Sequence, residues 1–192
     1  MATVSIQGRT IQDPPFLAKI FSSPKAAWFW LILRVWVGYQ WIEASLHKIG
    51  NPAWTQTGEA LKGFWIGAVA IPAEGRPPIA FDWYRSFIQF MLDSGAYTWF
   101  AKLVAYGELL VGIALIVGAF AGVAAFFGAF MNWNFMMAGS ASTNPWLFVL
   151  ALGILAAWKI AGYIGFDYFL FPMISRLFDR QKVRARVPQT SR

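Results

Sequence analysis

Apolar residues fall in four blocks of bilayer length along the chain, each closed by polar or turn-forming residues. With a helix rise of about 1.5 Å per residue, about 20 residues cross the hydrocarbon core. The pattern predicts spans at 26–46, 101–120, 122–139 and 146–165. Only AFAGV separates the second from the third, which leaves room for nothing but a tight helical hairpin. SASTNP marks the turn between the third and fourth. Residues 47–100 hold two amphipathic, aromatic stretches, TGEALKGFWIGAVAIP and IAFDWYRSFIQFMLDSG, divided by AEGRPPI. Neither is long enough to cross, so helices lying in the membrane interface are expected, with a short re-entrant turn as the rival. The predicted fold class is all-α: a polytopic membrane protein with a four-transmembrane-helix bundle and amphipathic helices in the loop between spans one and two. Residues 1–25 form an N-terminal cytoplasmic segment, 26–170 the membrane domain with 47–100 as its external interfacial loop, and 171–192 a basic cytoplasmic tail.

Composition sharpens this picture. Hydrophobic residues make up 58% of the chain and charged residues 13%, against roughly 25% charged in soluble domains. The net charge of +7 would fit a nucleic-acid partner, but six of the sixteen basic residues crowd the last seventeen positions, directly after an apolar run. That placement fits a tail beside an anionic leaflet, and nucleic acid is excluded as a partner. Arg9, Lys19 and Lys25 share the tail's side, whereas Lys48, Lys62, Arg76, Arg85 and Lys102 are nearly balanced by Glu59, Glu74, Asp82 and Asp93. The asymmetry predicts a multi-pass protein of the cell membrane with both termini cytoplasmic. Residues 1–25 lack an apolar run followed by a cleavage site, so the first span is expected to serve as its own insertion signal. With no cysteine and one histidine, the chain offers no iron–sulfur or zinc–thiolate site and no bis-histidine haem. No haem, iron–sulfur, zinc or other metal site is expected within it. Any redox chemistry needs a diffusible or partner-borne cofactor.

Charged groups at membrane depth carry the candidate chemistry. A charge near the bilayer centre costs at least roughly 2.5–3.5 kcal/mol, so it calls for a partner. Glu108 is the one acidic residue in the middle of a span and Arg34 the one comparably central basic residue. A pair between them is expected inside the bundle, either as a structural tie or as a polar catalytic site in which Glu108 exchanges a proton. Asn132 and Asn134 sit two apart on span three and point in roughly opposite directions, so at most one faces such a site. Interhelical bonding is the expectation for the other. Lys159 and Asp167 read as interfacial anchors. At the exit of span one, Gln40, Glu43 and His47 share a helical face, while Arg34, Trp41, Ser45 and Lys48 occupy roughly the opposite one. His47 is either a solvated anchor or, oriented by Glu43 beside Lys48, part of a cationic spot for a small anion.

The ordered set of Arg34 in span one, EASLHKIGNPAW at its exit, YGELLVGIAL, GAFMNWNFMMAGSASTNP and AWKIAGYIGFD resembles the DoxX/DoxD family of small four-span membrane proteins, over about residues 26 to 170. The resemblance implies association with redox enzymes. DoxD-like members form the membrane subunit of thiosulfate:quinone oxidoreductase, and other members accompany dismutases or thiol-handling proteins. Carried to this sequence, it implies a diffusible quinone as cofactor, with Glu108 and Arg34 as catalytic residues. Asn132 would help hold the quinone headgroup, and thiosulfate would approach near Glu43, His47 and Lys48. It also implies a separate periplasmic or membrane redox subunit, and oligomer formation is open. A non-catalytic anchor for such a complex and a small-molecule transporter are the competing expectations.

Overall fold

The computed structural model describes residues 3–6 and 9–186. Strands β1 (Thr3–Ile6) and β2 (Arg9–Gln12) form an antiparallel hairpin in which Thr3 faces Gln12 and Ile6 faces Arg9. Helix α1 (Pro15–Phe21) and a 3-10 turn at Pro24–Ala26 lead into α2 (Ala27–Ile49). There follow α3 (Pro52–Thr55), α4 (Glu59–Val69), α5 (Asp82–Asp93), α6 (Tyr97–Val117) and α7 (Ala121–Met137). The chain continues through α8 (Asn144–Ala156), α9 (Trp158–Ala161) and α10 (Asp167–Arg186). The helical class therefore holds for the body of the chain, and the short hairpin before it was not foreseen. The last part of the expected basic tail, 187–192, lies outside the described residues.

Four helices make the central bundle: α2 packs along α6, and α7 along α8. Trp30, Val37, Trp41, Val111, Leu115, Ala125 and Ile154 form its buried core. The crossing of α2 with α6 is set by two glycines. A Cβ on Gly38 would stand 2.8 Å from the Gly112 carbonyl oxygen, and one on Gly112 would stand 2.8 Å from that of Gly38. Only residues without a side chain allow backbones so near, and this contact fixes how far one helix slides along the other. A second core joins α4 and α5 to the start of α6 and the end of α7 through Leu61, Trp65, Ile79, Tyr84, Ile88 and Ala101. The two amphipathic stretches thus become helices whose apolar faces close over one end of the bundle.

The outward faces of the bundle are apolar as well. Ile32 and Trp36 on α2, Leu103 and Leu110 on α6, Phe126 and Phe130 on α7, and Val149 on α8 are all exposed. Tyr97–Val117, with mean hydropathy 2.0, is the one helix among the described residues that is long and apolar enough to cross a membrane, and α8 is apolar but shorter. Span four was expected as one helix over 146–165, but it breaks at Ala157 into α8 and the short α9. The turn between α6 and α7 is as tight as expected: Gly118 and Phe120 both take positive φ, and α7 begins at Ala121.

Candidate functional site

The expected Arg34–Glu108 pair does not form. Arg34 stands at the hairpin end of the bundle, where Nη1 donates to the Leu115 carbonyl and, at 2.7 Å, to that of Ile116. Its Nη2 donates to the Ile164 carbonyl. The Nη1 bonds satisfy carbonyls of the last turn of α6, which have no partner within the helix. Ala114 accepts from the Gly118 and Ala119 amides, Val117 from Phe166, and Gly118 from Asp167. Leu115 and Ile116 are left for Arg34, and the cation also suits the negative end of the helix dipole. Gly118 makes room for it, because a Cβ there would stand 2.7 Å from Arg34 Nη2. The axial offset imposed by the Gly38–Gly112 contact separates Arg34 from Glu108. Their similar depths in isolated spans said nothing of that offset.

Asp167, expected as an interfacial anchor, is instead buried and caps α7 from a distant part of the chain. Its Oδ1 accepts from the Phe120 amide at 2.6 Å and its Oδ2 from the Ala121 amide at 2.9 Å. These are first-turn donors that otherwise lack partners, beside the positive end of the helix.

Glu108 faces the other end of the bundle, and its partner is Lys48: Nζ donates to Oε2 at 2.7 Å, with Glu108 1% exposed and Lys48 19%. Lys48 also donates to the Ala44 carbonyl and lies 5.4 Å from the centre of the Trp54 ring. The pair sits in a chamber of about 420 Å³ whose walls include Gln40, Glu43, His47, Leu61, Phe64 and Phe135, with Ser140, Ser142, Thr143 and Asn144 from the α7–α8 turn. Glu43, His47, Lys48 and Glu108 are therefore brought together, and the two faces of α2 both reach this chamber at its end. Two carboxylates meet one ammonium there, and that ammonium is already engaged. Electrostatically the chamber suits a neutral polar group better than a dianion.

Asn132 is the inward asparagine of its pair. It is 0% exposed, and neither its Oδ1 nor its Nδ2 has a hydrogen-bond partner, a condition shared by Trp41 Nε1 and Ser45 Oγ. Gly128, one turn before Asn132, abuts Trp41 Nε1. Because α2 and α7 run parallel, four further residues on each bring Ser45 and Asn132 to similar depth. Buried polar groups without partners are rare enough to require a cause; of these residues Trp41 lines the chamber, and Ser45 and Asn132 do not. Asn134 turns away from them. Its Nδ2 bonds the Phe130 carbonyl, and the Tyr84 hydroxyl donates to Asn134 at 3.1 Å. Burial pushes the Tyr84 phenol up to about 12, so it stays a donor.

Beside the chamber lies a second cavity of about 510 Å³, walled by aliphatic and aromatic side chains of α4, α5, α6 and α7. Leu61, Phe64 and Phe135 line both spaces. Val104 and Val111, one turn to either side of Glu108, line the apolar cavity, so Glu108 lies on the helical face where the two adjoin. Leu103, Leu110, Phe127 and Phe130 line the cavity and are also exposed on the outer surface, which puts its mouth on the side of the bundle. Sequence reasoning missed this cavity. Its walls are ordinary apolar positions, and only the folding of α4 and α5 against α6 and α7 encloses it. Comparison with protein-family models, with curated proteins and with solved structures gave no match.

Proposed function

We propose that this chain is a four-span membrane protein that takes a quinone from the bilayer and serves as the membrane subunit of a quinone-linked redox system. The observation that carries the reading is the junction of a polar chamber with a laterally open apolar cavity across a shared wall of Leu61, Phe64 and Phe135. Such a site is reached from water on one side and from lipid on the other. An isoprenoid chain fits the apolar cavity, and a neutral headgroup with carbonyl oxygens fits in the chamber beside Lys48 and Glu108, while Asn132, expected to help hold it, lines neither space. The apolar outward faces of α2, α6, α7 and α8 support the bilayer setting, with α2, α6 and α7 as three spans and α8 with α9 as the fourth. Basic residues orient both termini to the cytoplasm and the chamber to the outside. Electrons arrive from the aqueous side, and the carboxylates of the chamber favour delivery by a separate redox subunit over entry of free thiosulfate. Arg34 has no part in binding in this reading.

Titration of decylubiquinone into the purified protein in lipid nanodiscs, followed by tryptophan quenching, tests the proposal. Saturable binding is expected, at one quinone per chain. A Cβ on Gly107 would meet only Met131 Sδ at 3.9 Å, so Gly107→Leu fills the cavity without moving the backbone. It should weaken binding about tenfold, equivalent to about 1.4 kcal/mol. Absence of saturable binding by the wild type would sink the reading.

A further inference from the structure

We infer that Lys48 and Glu108 form a proton-exchange pair that serves the headgroup of a ligand whose apolar chain lies in the apolar cavity, and draws its protons from the aqueous side of the chamber. This rests on the function proposed above. Lys48 is the one hydrogen-bond partner of Glu108 among the described residues, through Oε2, which leaves Oε1 unbonded. Glu108 lines the chamber and so opens on it. A tie between two helices needs neither that opening nor the position of Glu108 on the face that Val104 and Val111 give to the cavity. Lys48 is part-exposed, and Glu43 and His47 stand exposed beside it on α2. These four are the titratable groups that line the chamber among the described residues. The elements packed around them contribute Leu61 and Phe64 from α4, Phe135 from α7, and the uncharged Ser140, Ser142, Thr143 and Asn144.

Reduction of a quinone to a quinol consumes two electrons and two protons, and a redox protein on the aqueous side supplies the electrons. From the ion pair, Lys48 passes a proton to the Glu108 carboxylate across the 2.7 Å contact, and Glu108, now a carboxylic acid, turns that proton toward an oxygen of the ligand. Lys48 is then reprotonated from water in the chamber beside His47. The second proton follows the same route. Per ligand, two protons leave the outer aqueous phase and the pair ends as it began. Proton transfer through a side chain positioned in this way contributes about 10²–10⁴ in rate.

Difference infrared spectroscopy on a protein film, with an electrode reducing bound decylubiquinone, tests the pair without the physiological electron donor. The wild type should show quinone bands together with a carboxylic C=O signal. Glu108→Gln should remove that carboxyl signal, Glu108→Asp should displace it in frequency, and Glu43→Gln should leave it. Proton uptake, followed with a pH-sensitive dye, should slow by about a hundredfold in Lys48→Met. A carboxyl signal that survives Glu108→Gln, or uptake unchanged in Lys48→Met, overturns the inference. If quinone bands are missing from the wild type, the binding reading itself fails. Quinone bands without the dependence on Glu108 refute the proton pair alone.

Discussion

Arg34 and Lys48 lie on one face of α2 and meet different partners, carbonyl oxygens at the hairpin end and a carboxylate at the chamber end. Burial of a cation is tolerable only with such company, because desolvation costs several kcal/mol per ion. Removing one member of a buried pair leaves the other uncompensated, which is worse than removing both. Lys48→Met should therefore lower stability by about 3–5 kcal/mol, while Lys48→Met combined with Glu108→Gln recovers most of the loss. Thermal unfolding in detergent, read by tryptophan fluorescence, measures both. With Glu108→Gln measured alone as well, a loss in the double variant equal to the sum of the two single losses would show that the contact carries no coupling. Glu108 was legible as an odd residue in the sequence because a mid-span carboxylate is costly. Its partner was not, since the choice between Arg34 and Lys48 depends on how two helices slide past each other.

Among the elements, the turn from α6 to α7 shows how an abrupt reversal is held without exposing backbone groups. The carbonyls at the end of α6 go to Arg34 and to the amides of Phe166 and Asp167. The amides at the start of α7 go to the Asp167 carboxylate. The segment from α9 to α10 thus caps both helices at once. Loss of a capping side chain costs about 0.5–2 kcal/mol, so Asp167→Ala should destabilise the turn by that amount. Amide hydrogen exchange at Phe120 and Ala121 should accelerate, with protection near the chamber unchanged. Unaltered exchange at both amides would remove the capping role. The length of the apolar blocks announced α2, α6 and α7, and the short AFAGV linker announced the hairpin. The break at Ala157 had no such signal: the run around it is apolar but for Lys159, and neither proline nor glycine stands at the break.

For the whole molecule, the proposed four-span arrangement can be tested directly because the chain has no cysteine. Single cysteines at Lys25, Gln56, Ala141 and Ser175, all at exposed positions, can be labelled in intact cells with a membrane-impermeant maleimide. Gln56→Cys and Ala141→Cys should react from outside, and Lys25→Cys and Ser175→Cys only after permeabilisation. Labelling of all four from one side would overturn the four-span arrangement. The same experiment decides whether the chamber opens outward, since Gln56 and Ala141 lie at its end of the bundle.

The sequence by itself determined the helical class, the order of the long helices and the amphipathic pair between them. It also marked Glu108 and Arg34 as residues in need of partners, and separated Asn132 from Asn134 by the geometry of a single helix. Each of these follows from the length of apolar runs, from helix geometry or from the cost of burying charge, which act along one segment at a time. Tertiary structure alone decided that Glu108 meets Lys48, that Arg34 and Asp167 secure a turn, and that a polar chamber shares a wall with an apolar cavity. The physical reason is axial registry. The backbone contact of Gly38 with Gly112 sets which levels of α2 and α6 coincide, and the packing of α4 and α5 on α6 and α7 determines what space remains between them.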